Sequence, residues 1–404
     1  MKIVVAPDSF KGSAYAGKVA VDIVAGWRRA RPDDVVRLLP VADGGEGTVF
    51  SVIGGFAAKK PQPDSERFFL SESLSFPDRT LYSCYVRPSL PFLGFATGHF
   101  ALLQNGETAI VELATAAGLT LVPAHRRDPK RTTTYGFGEL IARAASVPGV
   151  KRLVLALGGS ATNDGGAGAL QALGVRLKNT EGRKLARGGA ALAGLQSADF
   201  SCAERFPDLE IVLACDVDNP LLGDRGATAV FAPQKGATPD DIPVLEAALT
   251  RYADVLTVAT GRDVRNIPGA GAAGGTAEGL LWLFPQATLR PGIEIVLDAV
   301  GFDDAVKDAD IVITGEGRLD AQTLGGKVVA GVVRRMKAVN PGAKIVVIAG
   351  SVSPPESTAE LAHSLGLHAV YSLVREGVTV DDAMRHAARH VSDAAERAAR
   401  DVCV

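Results

Sequence analysis

Short β-branched or apolar runs recur along this sequence, at Ile3–Ala6, Val35–Leu39, Leu153–Leu157, Ile211–Ala214, Ile311–Thr314, Ile345–Ala349 and Ala369–Leu373, with helical periodicity between them. Runs without polar alternation suit parallel strands covered by helices on both faces. Between the first two, Ala16, Val19, Ala20, Ile23, Val24 and Trp27 fall at i, i+3, i+4, i+7, i+8 and i+11. That spacing is the apolar stripe of an amphipathic helix, which Ser13 is placed to cap. The C-terminal end repeats the logic: Ile311–Thr314, a helix carrying Val329, Val332, Val333 and Met336, then Ile345–Ala349. A last helix, from about Asp382 to Arg400, gathers Ala383, Ala387, Val391, Ala394 and Ala398 on one side. The pattern predicts an α/β protein with an open parallel sheet.

Residues 68–100 break this pattern, being rich in aromatic residues and interrupted by Pro77, Pro88 and Pro91. They are read as the crossing into an inserted second domain, since both chain ends look like parts of one α/β unit. A chain of 404 residues is long enough for two domains with full cores. A net charge of −2 without a long Lys/Arg block argues against nucleic acid or a membrane as partner. Lys2 precedes an apolar run far shorter than a secretory core, and no 18-residue apolar run follows, so the cytosol is the expected compartment. Cys84, Cys202, Cys215 and Cys403 are widely separated and read as thiols rather than metal ligands or a disulfide framework.

Several of the runs end in residues suited to chemistry. Leu153-Val-Leu-Ala-Leu157 breaks into Gly158-Gly-Ser-Ala-Thr-Asn-Asp-Gly-Gly-Ala-Gly168, whose glycines let backbone N–H groups approach an anion. The helical Ala167-Gly-Ala-Leu-Gln-Ala-Leu173 aims its N-terminus at the same place. Neither familiar phosphate signature fits: no Gly-Lys-Ser/Thr follows, and the glycine spacing is not GxGxxG. The first run leads into Pro7-Asp-Ser-Phe-Lys-Gly-Ser13, with Asp8, Ser9 and Lys11, and the second into Pro40-Val-Ala-Asp-Gly-Gly-Glu-Gly-Thr48, with Asp43 and Glu46. Ile211–Ala214 leads into Cys215-Asp-Val-Asp-Asn219, whose Asp216 and Asp218 suit a divalent ion. Ile311–Thr314 leads into Thr314-Gly-Glu-Gly-Arg-Leu-Asp320, then Gly325-Gly-Lys327.

Ligands of open α/β sheets gather at such strand ends. Phosphoryl transfer asks for this mixture of phosphate donors, oxygen ligands for a metal, cations and a group that positions a hydroxyl. Plainer readings stand beside the chemical ones. Asp8 and Asp43 also suit helix or turn capping, Asp216 and Asp218 suit a turn, and Glu316, Arg318 and Asp320 suit an ion-pair network. His386 and His390, four apart on a helix, have no evident third ligand and read as solvated face residues.

Taken together, Val5-Ala-Pro-Asp-Ser-Phe-Lys-Gly-Ser13, Val41-Ala-Asp-Gly-Gly-Glu-Gly-Thr48, Thr132-Thr-Thr-Tyr-Gly-Phe-Gly-Glu-Leu140, Leu157–Gly168 and Thr314–Asp320 resemble the type-1 glycerate kinases. Ala214-Cys-Asp-Val-Asp-Asn-Pro-Leu-Leu222, Phe231-Ala-Pro-Gln-Lys-Gly236 and Gly269-Ala-Gly-Ala-Ala-Gly-Gly275 extend the resemblance over most of the chain. It implies phosphorylation of D-glycerate with ATP and Mg²⁺, to 2-phosphoglycerate in the bacterial sugar-acid branch. It also implies a Rossmann-like three-layer domain formed by both chain ends, residues 1–67 plus 299–404. A second α/β domain, 68–298, is then inserted, with the active site in the interdomain cleft. Residues 68–95 depart from the family, which usually carries a Thr-Gly-Pro-Leu-Gly-like turn there.

On this reading Gly158, Gly159, Ser160, Thr162, Asn163, Gly165 and Gly166 are expected at phosphate oxygens, and Asp164 with Asp216 or Asp218 at Mg²⁺. Arg318 and Lys11 are the cations for the glycerate carboxylate or the transferring phosphoryl group. Asp43, with Asp8 as substitute, is expected to orient or deprotonate the attacking hydroxyl. Ser9, Glu46, Glu316, Asp320 and Lys327 complete the substrate set, and a homodimer is the expected assembly. Competing readings are a glycerate 3-kinase or a kinase of another small hydroxyacid, and a catalytically silent nucleotide- or glycerate-binding regulator. The acidic and basic loops favour an enzyme, and the absence of a glycine fingerprint from Pro7 to Gly12 disfavours a dehydrogenase.

Overall fold

The computed structural model describes residues 1–54, 70–76, 79–87, 96–103, 106–206, 208–320, 323, 328–354 and 358–402. Pro77, Pro88, Pro91, Lys327 and Cys403 lie outside them. In chain order the strands are β1 (Lys2–Pro7), β2 (Val35–Leu38), β3 (Leu70–Phe76), β4 (Arg79–Val86), β5 (Ala96–Leu103), β6 (Thr108–Glu112), β7 (Arg152–Ala156), β8 (Arg176–Asn179), β9 (Leu195–Asp199), β10 (Glu210–Ala214), β11 (Thr288–Arg290), β12 (Ile311–Leu319), β13 (Lys344–Val352) and β14 (Ala369–Ser372). The chain divides into two compact units. The first comprises Met1–Asp43, Phe50–Lys59 and Pro291–Val404, the second Gly44–Val49 and Lys60–Arg290.

The first unit holds a five-stranded parallel sheet in the order β14-β13-β12-β1-β2. One face, carrying Ile3, Val5, Ile311, Ile313, Val346 and Ile348, packs on the helices Ala16–Ala30 and Ala387–Asp401. Val4, Val312 and Val347 point the other way by strand alternation and are buried as well, so the central strands are covered on both sides. β2 is the exception: as an edge strand it leaves Val35 68% exposed. All six stripe residues of the first helix are buried. Ser13 does not cap it; its hydroxyl donates to the Phe10 carbonyl at 2.9 Å, closing the turn before the helix. The last helical stretch is two helices. Thr379 caps Val380–Arg385 through the Asp382 N–H at 3.2 Å, and His386, at φ −115° and ψ 34°, interrupts the path before Ala387–Asp401.

The second unit holds a seven-stranded mixed sheet, β11-β10-β7-β6-β5-β4-β3. β11, β10, β7 and β6 run parallel, whereas β6, β5, β4 and β3 are antiparallel neighbours. The described parts of the aromatic stretch read as a domain crossing are therefore antiparallel strands of this sheet. Its aromatic content has a packing reason: Tyr82 and Phe100 are cross-strand partners and stack at 4.8 Å between ring centroids. β8 and β9 form a separate antiparallel pair. The expected α/β class is observed in both units, and no helix among the described residues is long and apolar enough to cross a membrane.

Two helices of the first unit approach closely at Gly26, where an added Cβ would lie 1.9 Å from the Ser392 carbonyl oxygen. The same contact carries a hydrogen bond from the Ser392 hydroxyl to the Asp22 carbonyl at 2.8 Å. Gly26→Ala is therefore expected to destabilise the protein by about 1–3 kcal/mol, the range typical of overpacking, as measured by urea denaturation.

Candidate active site

In the first unit the chain leaves β1 toward β2 on one side, and β12 leads to β13 and β14 on the other. Ligand sites of open α/β sheets form at such a reversal of strand order, beyond the C-terminal strand ends. A pocket of about 240 Å³ opens there, lined by Asp8, Ser9, Lys11, Asp43, Glu316 and Arg318 among others. Asp8 follows β1 and is only 6% exposed, its carboxylate accepting the Ser9 N–H at 2.6 Å. Burial, then the negative charge of Asp43, pushes its carboxyl up to about 8, with Lys11 opposing. Lys11 Nζ lies 3.7 Å from Asp43 Oδ2, and this neighbour raises the lysine above its ordinary value. Glu316, buried on β12, accepts the Thr323 hydroxyl at 2.7 Å. Arg318, largely exposed, donates to Ser353 Oγ at 2.9 Å and lies 3.4 Å from Asp320. A cation pair and a carboxylate set with one strongly raised member thus share a small pocket. That combination can hold an anion and position a hydroxyl.

In the second unit, β7 runs into the glycine-dense loop. Gly159 is exposed and Gly158 half-buried, whereas every residue from Ser160 through Leu170 is buried. The N–H groups of Gly158, Ala161, Gly165, Gly166 and Gly168 are already used, on Gly44 O, Ala117 O, Gly274 O and the two Asp164 oxygens respectively. Gly165 and Gly166 both have positive φ, 60° and 73°, and a Cβ on Gly165 would lie 2.6 Å from the Tyr252 ring. Their conformational freedom serves the packing of the loop's interior.

Asp164, expected at a metal, is fully buried and accepts the Thr134 N–H at 2.9 Å and the Thr134 hydroxyl at 3.0 Å, besides its own loop's N–H groups. Burial raises its carboxyl above the ordinary value, with these donors opposing. Such an enclosed carboxylate braces the loop and offers an ion no open side. Asn163 likewise points inward, its amide donating to Thr228 Oγ1 at 3.1 Å.

A residue absent from the expected set takes a central place. Lys235, 2% exposed, donates from Nζ to Ser160 Oγ at 2.9 Å and to the Thr162 carbonyl at 2.7 Å. Burial lowers it to about 7, with Asp164 opposing. The Thr162 hydroxyl is buried without a hydrogen-bond partner among the described residues. The lip of the loop thus combines exposed backbone at Gly159, the Ser160 hydroxyl and an ammonium directly behind it.

The chain as a whole has relatives among known proteins. The family description "Glycerate kinase family" matches residues 3–65 and 82–403. The chain belongs to the glycerate kinase family. A glycerate kinase of Bacillus subtilis (strain 168) is 43% identical over 403 residues, covering 100% of this chain and 97% of its own. The glycerate 2-kinase of Escherichia coli (strain K12) is 39% identical over 405 residues, covering 100% and 98%. A crystal structure of a protein from Salmonella typhimurium LT2 superposes with a TM-score of 0.78 at 41% identity, covering 100% of this chain and 98% of that one. The family match lapses between residues 65 and 82 and resumes at 82, so the lapse overlaps only the first part of the 68–95 stretch read as departing from the family pattern.

The remaining expected residues of this glycerate kinase family member are distributed as follows. Glu46 belongs to the second unit, where Glu112 at the end of β6 accepts the Gly47 N–H at 3.0 Å and the Val49 N–H at 2.9 Å, fixing the loop that carries it. Asp216 and Asp218 are exposed in the loop after β10, the parallel neighbour of β7. Asp218 is engaged by Arg225 through both oxygens, at 3.0 and 3.1 Å. Asp216 is an exposed carboxylate on the strand end beside the glycine loop, the donor chemistry that Mg²⁺ prefers.

Two pH effects follow. The Asp8 carboxyl is raised from 3.8 to about 8 in the fold, so stability is lost as pH rises across that window. Asp8→Asn is expected to remove that loss and to raise Tm at and above neutral pH in scanning calorimetry. Lys235 has the opposite sign: lowered from 10.5 to about 7, it makes stability increase as pH rises between those values. Lys235→Met should flatten this increase in denaturation curves taken across the same range.

Proposed function

We propose that this protein transfers the γ-phosphoryl group of ATP to the 2-hydroxyl of D-glycerate. The observation that carries the reading is the first unit's pocket, in which Lys11 and Arg318 stand beside Asp8, Asp43 and Glu316. A small hydroxyacid needs a cation for its carboxylate and an acceptor for its hydroxyl proton, and the pocket holds both. The naming of the Escherichia coli relative as a glycerate 2-kinase supports the 2-position. A reaction between ATP and glycerate belongs in the cytosol.

Burial shifts the expected division of labour between the two aspartates. Asp8, raised to about 8, is poised to take the hydroxyl proton near neutral pH. Asp43, 3.7 Å from Lys11, positions that ammonium and keeps Asp8 basic. Arg318 and Lys11 hold the glycerate carboxylate, with Ser9, Glu316 and Asp320 supporting them. In the second unit Gly159 and Ser160 receive phosphate oxygens, Gly158 fixes their approach through its N–H on the Gly44 carbonyl, and Lys235 behind Ser160 supplies the countercharge. Thr162, Asn163, Gly165 and Gly166 shape that lip from inside, with Asp164 as brace. Asp216 is the residue that would hold Mg²⁺, with Asp218 once Arg225 releases it; the ion would neutralise phosphate charge during transfer. Phosphate binding favours charged Lys235, so nucleotide affinity falls as pH rises past 7.

A coupled assay with ATP, Mg²⁺ and a panel of small hydroxyacids tests the substrate, and phosphorus NMR of the product tests the position. D-Glycerate should be preferred and 2-phosphoglycerate formed; turnover of none of the panel sinks the reading. Asp8→Asn should lower kcat by roughly 10²–10⁴-fold with ATP binding retained, and the parent's kcat should climb with pH toward about 8. Near-normal turnover in that variant removes Asp8 from the role.

A further inference from the structure

His386 and His390 were read from sequence as solvated residues without a third ligand. The fold leaves His386 exposed as read, but corrects the reading of His390 and of the third ligand. His390 is only 3% exposed, and Asp382 supplies the missing group, accepting His386 Nδ1 at 3.0 Å on one oxygen and His390 Nε2 at 2.8 Å on the other. One ligand atom from each of the three residues lies within 4.8 Å of the others. The residues sit at i, i+4 and i+8, which a helical path stacks on one face. His386, between the helices Val380–Arg385 and Ala387–Asp401, breaks that path just where the middle ligand is carried.

We propose that Asp382, His386 and His390 form a binding site for a borderline divalent transition ion, with zinc as its representative. Two imidazoles and one carboxylate are a ligand set that suits zinc and is poor for magnesium or calcium, which prefer oxygen. Tetrahedral zinc with bonds of about 2.0–2.2 Å keeps its ligand atoms about 3.3 Å apart, so the two contacts of Asp382 open slightly and the imidazoles, within 4.8 Å of each other, settle around the ion. The exposed His386 leaves a side open for entry and for a water as fourth ligand. Nearby cations have their own partners: Arg385 pairs with Asp381, and Arg389 lies 3.8 Å from Asp393. Asp382 holds the proton on Nε2 of His390, and among the described residues Nδ1 has no hydrogen-bond partner, so Nδ1 is the nitrogen that can take the proton when Nε2 serves as ligand. On binding, the protons now shared with Asp382 leave Nε2 of His390 and Nδ1 of His386 for the other ring nitrogens or solvent.

The ion would join the helix Val380–Arg385 to Ala387–Asp401. Val380, Ala383 and Met384 of the former line the first unit's pocket, so the site lies behind one wall of it. The proposal does not depend on the reaction assigned to that pocket.

Titration calorimetry of the full-length protein with zinc chloride, paired with thermal unfolding in zinc and in magnesium, tests the site. One equivalent of zinc should bind and raise Tm, and magnesium at the same concentration should not. His386→Gln, at an exposed position that tolerates the change, and Asp382→Asn should each weaken zinc binding at least tenfold. His390→Gln should abolish it if the variant folds. The proposal is overturned if the parent binds no zinc, or if His386→Gln and Asp382→Asn bind it as tightly as the parent, which would place the ion elsewhere.

Discussion

The parallel pairing of β1 with β12, from Ile3 opposite Ile311 to Pro7 opposite Gly315, brings together segments some three hundred residues apart. Everything chemical in the first unit rests on it. Asp8 leaves the C-terminal end of one strand, and Glu316 and Arg318 lie on the continuation of the other, so the pocket exists only once this register is set. Closing so long a loop is entropically unfavourable and kinetically slow, although the penalty grows only with the logarithm of loop length. The apolar reward is large and local: Ile3, Val5, Ile311 and Ile313 are all buried at the junction, and Trp27 packs into the same cluster.

Polar burial organises the second unit. A carboxylate at Asp164 and an ammonium at Lys235, both enclosed, would each be expensive alone. Asp164 is satisfied by Thr134 and its own loop, while Lys235 is satisfied by Ser160 and the Thr162 carbonyl. The loop conformation is thereby determined from beneath. The Ala273–Gly275 bend covers it with three successive residues at positive φ, one of them an alanine, and the Gly274 carbonyl accepts the Gly165 N–H at 2.9 Å. A strained non-glycine residue persists only where the surroundings over-determine it, and here they do.

Much of this was legible in the sequence because parallel strands are apolar along their whole length. All the short runs became strands, and the stripe from Ala16 to Trp27 became a buried helix face. The antiparallel strands β4 and β5 were not legible, since their mixed burial and aromatic pairing leave no single period. In the site, the residue types at strand ends were visible, but their surroundings were not. Nothing in the glycine spacing distinguishes a backbone amide that faces solvent from one already bonded inside. Phe231-Ala-Pro-Gln-Lys-Gly236 contains Lys235 without any local sign that its ammonium is buried. His390 misled for the complementary reason: helical spacing reveals neighbours on one face, but the burial of His390 comes from tertiary packing, while His386 stays exposed as its position suggests.

The contrast between an exposed Gly159 and a buried stretch from Ser160 through Leu170 bears on how this loop tolerates change. Most of its length behaves as core, so variation there registers first as altered folding yield, whatever its effect on ligands. Within the loop from Gly158 to Gly168 only Gly159 is exposed, so a change meant to alter its surface rather than its packing has essentially one backbone position to work with. Productive variants would have to come from the segments that press on the loop, Gly44–Val49 and the turn bearing Lys235, before the glycines themselves.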